Sequence, residues 1–341
     1  MPKTYRCVQA TAFGSPDVLK VVECDLKEPT NGRVRLRVLA ASVSRPDITV
    51  RQGTALYAGT PLGQKIPFVP GYSIIGEVDA IGDGVEQVKI GDRYAALTVV
   101  GGYSEFVTLE QKHLIPFPDR LDPVQAVPLI LNYIVAYQAM HRAARVQAGE
   151  SVLIIGASGG IGTAFLQLGK LMDLQMYALA SSSKHAFLAD MGAIPFDYHD
   201  PNYLSQIRAA QPGGITCVFD GMMMPEYLRE GLSLINNGGV YVGYGEPADF
   251  RTLFTFLRKM IQVNLLPNRK SVKLYGTSKY TFNQKPFRED WAVLFDLLAQ
   301  GKIDPIIYAK FPLLEAAEAN RLLESGQVIG NIVLERRHTL D

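Results

Sequence analysis

The sequence predicts an α/β protein in which a doubly wound parallel sheet is joined to a second, β-rich domain. First, its 341 residues exceed the length at which a single hydrophobic core usually stops growing, so two domains are expected. Second, the first third of the chain consists of short apolar stretches between turn signals. Third, strand and helix patterns alternate from Ser151 onward, which is typical of a parallel sheet covered by helices on both faces.

The β-rich part is clearest at "RVRLRVLAASV" (Arg33–Val43), where apolar and charged residues alternate as in a half-buried strand. Turn signals rich in glycine, proline and aspartate then recur at residues 28–32, 82–84, 91–92 and 101–102. Short strands between such turns predict a small barrel or sandwich.

The hydrophobic period changes after residue 122. Asp122 and Pro123 suit a helix cap and a first helical residue, and helical spacing continues to about Arg145. Beyond it, the pattern predicts strands at "SVLIIG", "QMYALA", "CVFDG", "GGVYVGYG" and "SVKLYG", separated by helices that end near Met172 or span Lys184–Met191 and Glu226–Ile235. The tail adds helices over Arg288–Gln300 and Leu313–Ser325 and strands at "IIYAKFPL" and "NIVLE".

The segment Ala248–Lys270 mixes apolar and basic side chains. Phenylalanine, leucine, methionine and isoleucine residues interleave there with Arg251, Arg258 and Lys259. The favoured interpretation is a helix that covers the sheet edge or a subunit interface. A substrate lid and a membrane-surface helix are the alternatives.

Composition excludes several classes of function. The formal net charge of +1 provides no global field to attract nucleic acid or an anionic membrane. Three cysteines without CxxC spacing are too few for a disulfide framework and favour a reducing compartment. The sequence shows no signal-peptide apolar region and no apolar run of bilayer length. We therefore expect a soluble, cytoplasmic protein.

The stretch "GASGGIG" follows a predicted strand and opens a predicted helix. Its best match to a dinucleotide-binding loop is Ala157-x-Gly159-x-x-Gly162, with alanine at the usual first glycine. Gly159 would let the backbone approach a pyrophosphate, and Gly162 would let helix and strand pack closely. A bare glycine motif also suits a plain tight turn, but its place within repeated βαβ units favours the cofactor loop of a Rossmann domain.

The end of the next strand indicates which dinucleotide is bound. NAD sites place Asp or Glu there to hold the ribose 2′-hydroxyl, whereas "QMYALA" is followed by three serines and Lys184. Hydroxyl donors and an ammonium group suit a 2′-phosphate, although one serine can also serve simply as a helix cap. The pattern favours NADPH over NADH.

Two motifs resemble a known family. Gly149-Glu150-x2-Leu153-x3-Ala157-Ser158-Gly159-Gly160-x-Gly162-x4-Gln167-x2-Lys170 is similar to the signature of the quinone oxidoreductase (zeta-crystallin/VAT-1-like) branch of the medium-chain dehydrogenase/reductase superfamily. Gly71-Tyr72-Ser73-x2-Gly76-x5-Gly82-x2-Val85, followed by Gly91-Asp92, resembles the GroES-like domain of that superfamily. The resemblance spans nearly the whole chain.

The resemblance implies a GroES-like catalytic domain at residues 1–122, a Rossmann NADPH-binding domain at 123–276 and a C-terminal return to the catalytic domain at 277–341. It also implies that the cofactor is held by the loop residues Ala157, Ser158, Gly159, Gly160, Ile161 and Gly162. By similarity, Ser182, Lys184 and Tyr198 face the 2′-phosphate, and Gly243 and Asn331 lie along the nicotinamide half. Many relatives carry lysine at the position of Asn331.

The chain departs from the zinc-dependent members of the superfamily. Their catalytic metal ligands come from a cysteine at the position of Ser44, from a GHE motif whose last two positions match Tyr72 and Ser73, and from a further residue near Leu131. They also carry four cysteines of a structural zinc lobe, and this sequence has no cysteine between Cys24 and Cys217. Because zinc requires thiolate, imidazole or carboxylate ligands, we expect no metal site.

Without zinc, alcohol oxidation loses its Lewis acid, whereas a quinone or enone is already activated to accept hydride. Candidate residues in the first domain are Ser44, Asp47, Arg51 and Tyr57. Related reductases commonly have asparagine at the position of Ser44 and tyrosine near Thr49. Tyr57 is then the best remaining proton donor, with Ser44 as the second catalytic candidate; a purely packing role in a loop is the alternative for Tyr57.

The sequence therefore predicts a zinc-independent, NADPH-dependent reductase of quinones or α,β-unsaturated carbonyls, acting on a small-molecule substrate as a homodimer. A 2-enoyl thioester reductase acting on acyl-CoA or an acyl-carrier protein is the enzymic alternative. A basic patch near the cleft would favour it, and the Arg and Lys residues of 251–273 leave it open. A non-catalytic NADPH-binding protein of VAT-1 or crystallin type is the alternative from another class. Nucleic-acid partners and a membrane span are not expected.

Overall fold

A computed structural model of the chain describes residues 3–60, 63–267 and 269–337. The chain folds into two compact units, of which the first comprises Met1–Leu131 and Trp291–Asp341 and the second Asn132–Asp290. The boundaries expected from the sequence, after residues 122 and 276, both fall earlier in the chain than the observed ones, after Leu131 and Asp290. The observed second boundary lies inside a helix spanning Lys285–Ala299, where no turn signal marks it.

The first segment of the first unit is rich in strands, as its turn signals predict. These strands are β1 (Thr4–Ala10), β2 (Leu19–Asp25), β3 (Arg33–Val43), β4 (Ser73–Ile81), β5 (Arg93–Leu97), β6 (Phe106–Glu110) and β7 (Ile115–Pro116). Helix α1 (Arg45–Gln52) follows β3, and single 3-10 turns occupy Pro16–Val18 and Gln111–His113. Strands β1 and β2 form a two-stranded antiparallel sheet of their own.

The predicted helical stretch from residue 123 to about Arg145 is present but is not a regular α-helix. It begins with α2 (Pro123–Ala126), which Asp122 caps by accepting from the Val124 amide at 3.1 Å. Wider π-type turns at Leu129–Tyr133 and Ala139–Ala144 flank α3 (Ile134–Gln138). The stretch ends at Arg145, which has a left-handed φ of 59°.

The second unit is built on a six-stranded sheet in which every neighbouring pair is parallel. Its strands are β8 (Ser151–Ile155), β9 (Gln175–Ala180), β10 (Ala193–Asp197), β11 (Ile215–Asp220), β12 (Ile235–Gly243) and β13 (Ser271–Leu274). They lie in the order β10-β9-β8-β11-β12-β13. This is the order of a doubly wound dinucleotide-binding sheet, in which ligands bind at the carboxyl ends of the strands.

The helices of the second unit connect these strands as crossovers. They are α4 (Gly160–Lys170), α5 (His185–Asp190), α6 (Tyr203–Ala210), α7 (Pro225–Leu234) and α8 (Phe250–Asn264), with 3-10 turns at Ser182–Lys184 and Thr277–Thr281. Most agree with the sequence pattern, but β10 and α6 are not predicted by it. Strand β10 contains Pro195 and an exposed Ile194, so it lacks the apolar run of a buried strand.

The last segment of the chain returns to the first unit. It consists of α9 (Lys285–Ala299), β14 (Ile307–Pro312), α10 (Ala316–Glu324) and β15 (Asn331–Glu335). Strand β15 pairs with β3, which completes a sheet in the order β14-β15-β3-β4-β5-β7, with β6 also bonded to β3. The predicted α/β class, a Rossmann-type parallel sheet together with a β-rich domain, is confirmed.

Each unit has its own apolar core. The core of the first unit is formed mainly by β3 and β4, with Leu36, Val38 and Ile74 fully buried. In the second unit, Val218 and Tyr241 are among the residues buried between sheet and helices. Helix α8 buries Phe256 and Val263 while leaving Phe250, Phe254 and other large apolar residues exposed. Among the described residues, no helix has both the length and the apolar character needed to cross a membrane.

Candidate functional site

The glycine-rich loop between β8 and α4 has the backbone geometry that its sequence predicts, with one change of register. Gly156 carries the left-handed φ of 83°, a conformation that favours glycine, so it is the turn residue rather than Ala157. A Cβ at Gly162 would lie 2.4 Å from the backbone of Gly156 and Ala157. Glycine at 162 is therefore required for α4 to pack against the end of β8.

Gly159 occupies the cap position at the start of α4 and leaves the space beside its Cα open. A Cβ built there would meet only the Gly156 carbonyl oxygen, at 3.6 Å, which is an ordinary contact. No side chain caps this helix, and its first turn contains no acidic residue. The first amides of a helix have no carbonyl partner within it, and the helix dipole is positive at this end. The loop can therefore accept an anion such as a pyrophosphate.

The carboxyl ends of three neighbouring strands lie in one row beside this loop. Asp220 at the end of β11 pairs with Ile155 of β8 on one side and with Gly243 of β12 on the other. Gly243, one of the predicted cofactor residues, is thus separated from the start of the glycine loop by a single strand. Sequence spacing alone does not show this juxtaposition.

Asp220 is a buried acid at this edge that the sequence reasoning missed. Its carboxylate accepts hydrogen bonds from the Tyr241 hydroxyl at 2.5 Å, the Met222 amide at 2.7 Å and the Met223 amide at 3.1 Å. Burial raises the pKa of this carboxyl, and the three donors oppose that effect. Asp220 fixes the turn after β11, in which Met223 has a left-handed φ of 51°.

Gly243 has a packing role in addition to its predicted contact with the cofactor. A Cβ at this position would lie 2.4 Å from the sulfur of Met223. Its carbonyl accepts the Tyr275 amide at 2.9 Å. The glycine therefore lets the turn after β11 lie against the end of β12.

The segment after β9 presents hydroxyl groups and one ammonium group, and no carboxylate within the segment itself. Ser182 is exposed, Lys184 is half-buried, and the hydroxyls of Ser181 and Ser183 lie 3.2 Å apart. Partial burial lowers the pKa of Lys184. Tyr198 follows the neighbouring strand β10 and is 42% exposed. Because Ala180 of β9 pairs with Asp197 of β10, Ser182 and Tyr198 lie at the same edge of the sheet.

The same edge carries Asp197, an acid absent from the sequence-based account of the site. The backbone amide of His199 donates to the Oδ1 atom of Asp197 at 2.9 Å. The hydrogen bond from the His199 amide holds the pKa of Asp197 below its usual range. The His199 imidazole and the Ser182 hydroxyl add smaller effects in the same direction. Recognising β10 as a strand would have placed Asp197 beside the end of β9.

In the first unit, Ser44 and Asp47 form a buried pair at the start of α1. The Asp47 carboxylate accepts from the Ser44 amide at 2.8 Å, from the Ser44 hydroxyl at 2.6 Å and from the Gly71 amide at 3.1 Å. Burial raises the pKa of Asp47 to about 6, and the Ser44 hydroxyl and amide oppose this rise. The Ser44 hydroxyl is thus a donor to Asp47 and a cap for α1.

We expect Asp47→Asn to flatten the pH dependence of stability. Because the pKa of Asp47 is higher in the folded protein than its ordinary 3.8, its contribution to stability is full below pH 4 and is lost as pH rises through 6. The difference corresponds to a change on the order of 3 kcal/mol. Melting temperatures of both proteins from pH 4 to 7 test this, and a wild-type–variant difference that does not vary with pH would contradict it.

Tyr57 and Asn331 also belong to the first unit. Tyr57 is half-buried in the loop after α1, where its ring packs against the core, and its carbonyl accepts the Thr60 hydroxyl at 2.6 Å. Asn331 is buried at the start of β15, and its side-chain amide donates to the Ile306 carbonyl at 2.9 Å. This hydrogen bond ties the Asn331 side chain to the residue before β14.

The positions that hold metal ligands in zinc-dependent relatives offer poor donors. Ser44, Ser73 and Leu131 are buried, and Tyr72 is half-buried. None of these four side chains carries a thiol, imidazole or carboxylate. In the described part of the chain, no three or more His, Cys, Asp or Glu side chains are grouped so that they could hold a metal ion.

Comparison with known proteins agrees with this architecture. The family model described as an alcohol dehydrogenase GroES-like domain matches residues 30–119, and the model described as a zinc-binding dehydrogenase matches residues 189–334. Quinone oxidoreductase from Rattus norvegicus is 29% identical over 339 residues, covering 97% of this chain and 98% of the relative.

The synaptic vesicle membrane protein VAT-1 homolog of the same species is 30% identical over 343 residues, covering 96% of this chain and 83% of the relative. Among solved structures, the quinone oxidoreductase from Coxiella burnetii matches with a TM-score of 0.83 and 27% identity, covering 98% of this chain and all of that one. The chain belongs to the quinone oxidoreductase (zeta-crystallin/VAT-1-like) family of the medium-chain dehydrogenase/reductase superfamily, and it is an oxidoreductase.

Proposed function

We propose that this oxidoreductase uses NADPH, without zinc, to reduce quinones or α,β-unsaturated carbonyls. One observation carries the proposal. The glycine-rich loop between β8 and α4 lies beside the end of β9, where serine and lysine replace the ribose-binding acid of NAD sites. Membership of a family that includes the rat quinone oxidoreductase supports the choice of acceptor.

The residues of the second unit suit a dinucleotide. The amides at the start of α4, including those of Gly160, Ile161 and Gly162, would hold the pyrophosphate, and Ser158 is buried in the turn that precedes the helix. Ser182, Lys184 and Tyr198 would hold the 2′-phosphate. When bound, NADPH supplies a hydride; the protein orients it and excludes water.

Lys184→Ala should reduce the preference for NADPH over NADH. A charge-assisted hydrogen bond to phosphate typically contributes about 1.5–3 kcal/mol, so the ratio of the two affinities should fall roughly tenfold or more. Titration of each cofactor measures this. Lys170→Ala is the matched control, because Lys170 lies exposed at the opposite end of α4 and should leave the ratio unchanged. Equal wild-type affinities for NADPH and NADH would contradict the cofactor assignment.

The class of hydride acceptor that we propose depends on which hydrogen-bond and proton donors the first unit offers. Hydride addition to the β-carbon of an enone leaves an enolate that needs a hydrogen-bond donor and then a proton. Tyr57 can meet both needs through its phenol. A reduced quinone depends less on a proton donor from the protein, because water can protonate its oxygens. Both reactions proceed without a Lewis acid.

We expect the purified protein to contain no stoichiometric zinc and to keep its activity in the presence of chelators. The physical reason is the donor set: Ser44, Tyr72, Ser73 and Leu131 stand where zinc-dependent relatives supply ligands. Elemental analysis of the purified protein measures metal content directly. One tightly held zinc ion per chain would overturn the expectation.

A 2-enoyl thioester is the second candidate substrate. Acyl-CoA and acyl-carrier proteins are anionic, and helix α8 carries Arg251, Arg258 and Lys259 with no acidic residue between Phe250 and Asn264. NADPH consumption measured against quinones, enones, alkenals and enoyl-CoAs decides between the candidates. Binding of NADPH without turnover of any of them would instead support a non-catalytic protein.

We further propose that the protein is a cytoplasmic homodimer. Strand β13 is one of the two outer strands of the six-stranded sheet, and the neighbouring helix α8 exposes Phe250, Phe254 and Ile261. An outer strand and exposed apolar side chains favour association with a second copy. Sedimentation equilibrium of the full chain tests this, and a monomer at micromolar concentration would contradict it.

A further inference from the structure

Two cysteines lie side by side in the two-stranded sheet formed by β1 and β2. Cys7 of β1 pairs with Val22 of β2, and Cys24 pairs with Tyr5, so the two cysteines are diagonal neighbours across the strands. Alternate residues of a strand share a face, and both thiols therefore lie on the same face of this sheet. Their Sγ atoms are 3.1 Å apart, and one thiol donates a hydrogen bond to the other. The fold thus joins two thiols that are 17 positions apart in the sequence.

The separation of the two sulfur atoms is close to that of a bonded pair. A disulfide bond is about 2.05 Å long, so the sulfur atoms need to approach by about 1 Å. Diagonal neighbours in an antiparallel pair are usually about 7–8 Å apart, which is more than a disulfide spans. Two-stranded sheets twist more strongly than larger ones, and the observed sulfur separation shows that both side chains already reach across this diagonal.

The surroundings of the two strands permit the remaining approach. Strand β1 is held on its other side, because the Val8 amide donates to the Tyr103 carbonyl at 2.8 Å and the Glu105 amide to the Arg6 carbonyl at 3.0 Å. In the described part of the chain, the ladder bonds of β2 go to β1 alone. Strand β2 is therefore the strand that can shift toward its neighbour.

The two thiols differ in their access to solvent. Cys7 is fully buried and Cys24 is half-buried, so a solute reaches Cys24 first. Burial, followed by the hydrogen bond with Cys24, raises the pKa of Cys7 to about 12. A protonated thiol is a poor nucleophile, and the second of these causes disappears once the Cys24 sulfur is oxidised. The geometry therefore suits Cys24 as the thiol that reacts first and Cys7 as the thiol that follows.

We propose that Cys7 and Cys24 form a reversible disulfide when the protein is exposed to a small-molecule disulfide, and that the pair is a redox modification site. The Cys24 sulfur loses its proton, attacks one sulfur of the small disulfide and releases the other as a thiolate. The Cys7 sulfur then loses its proton, attacks the Cys24 sulfur and expels the second thiolate. The two cysteines are oxidised by two electrons, and the small disulfide becomes two thiols that take up the two protons. Intracellular disulfides of this kind are usually transient.

The test exposes the reduced, full-length protein to oxidised glutathione and then alkylates the remaining thiols after unfolding. Two of the three thiols should be lost, peptide mapping should find Cys7 linked to Cys24, and dithiothreitol should restore both. Cys217 is the internal control, because it is buried in β11 of the second unit and should be alkylated throughout. A stable adduct of glutathione on Cys24, a covalent dimer through Cys24, or three thiols retained would each overturn the proposal.

Two variants and an unfolded control show whether the native geometry is responsible. Cys24→Ser should keep both of its remaining thiols in the same oxidant, whereas Cys217→Ala should lose both of its own. Wild-type protein in concentrated urea should form all three pairings of its cysteines. If the folded protein gave that same mixture, or if Cys24→Ser lost thiols as the wild type does, the closeness of Cys7 and Cys24 would not direct the reaction and the proposal would be wrong.

Discussion

Gly162→Ala is expected to destabilise the second unit by about 3 kcal/mol or more, at the upper end of the cost of overpacking. The added methyl group would lie 2.4 Å from the Gly156 carbonyl oxygen and from the Ala157 carbonyl group. These are backbone atoms at the end of a buried strand, so they cannot move aside as a flexible side chain can. Thermal unfolding without cofactor should show a fall of roughly 6–12 °C, and NADPH affinity should fall with it.

Gly159→Ala is the matched control within the same loop. Its methyl group would make one ordinary contact, at 3.6 Å, and the φ of −75° is accessible to alanine. The variant should therefore fold with a nearly unchanged melting temperature, yet bind NADPH less tightly because the methyl fills space next to the proposed pyrophosphate. Wild-type stability of Gly162→Ala would contradict the packing argument. Wild-type NADPH affinity of Gly159→Ala would contradict the placement of the pyrophosphate.

Tyr57→Phe is expected to lower kcat for an enone by about 10²-fold or more, the usual contribution of general acid catalysis. Phenylalanine keeps the ring that packs against the core of the first unit and removes the phenol. The effect on a quinone should be much smaller, since water can protonate its reduced oxygens. NADPH affinity should be unchanged, because Tyr57 lies in a different unit from the glycine loop.

Tyr94→Phe supplies the comparison for Tyr57. Tyr94 is also half-buried and packs against the same core, from strand β5. If removal of any phenol from this unit perturbed activity through packing, both variants would lose activity on enones and quinones alike. A Tyr57→Phe enzyme that keeps its wild-type kcat on the best enone would remove Tyr57 from the mechanism and leave the proton to water or to Ser44.

Periodicity predicts most elements of the molecule because the signal is local. Strand β3 coincides with the alternating stretch Arg33–Val43, and β9 with "QMYALA". Strand β10 and helix α6 escape prediction: β10 has five residues, one of them proline and one an exposed isoleucine, so its apolar pattern is interrupted. The π-type turns at Leu129–Tyr133 and Ala139–Ala144 leave no mark in the hydrophobic pattern either.

The hydrogen-bond partners and burial of individual side chains are harder to predict from the sequence than the positions of helices and strands. Ser44 is recognisable as a residue of interest from its position, but its hydroxyl is engaged by Asp47, and that carboxylate is buried. Burial depends on what packs over α1 and cannot be inferred from the eight residues of the helix. The same holds for Asp220, whose three donors come from the turn after β11 and from β12.

The sequence by itself determined the two-part architecture, the glycine loop that opens α4, and the run of serines and lysine after β9, because each depends on residues adjacent in the chain. Only the tertiary structure decided that Asp220 lies between Ile155 and Gly243, and that Asp197 lies at the same edge of the sheet as Ser182. Parallel strands are joined by long crossovers, so the order β10-β9-β8-β11-β12-β13 is set by packing over the whole sheet. Neighbours across such a sheet are distant in sequence, and no local pattern reports them.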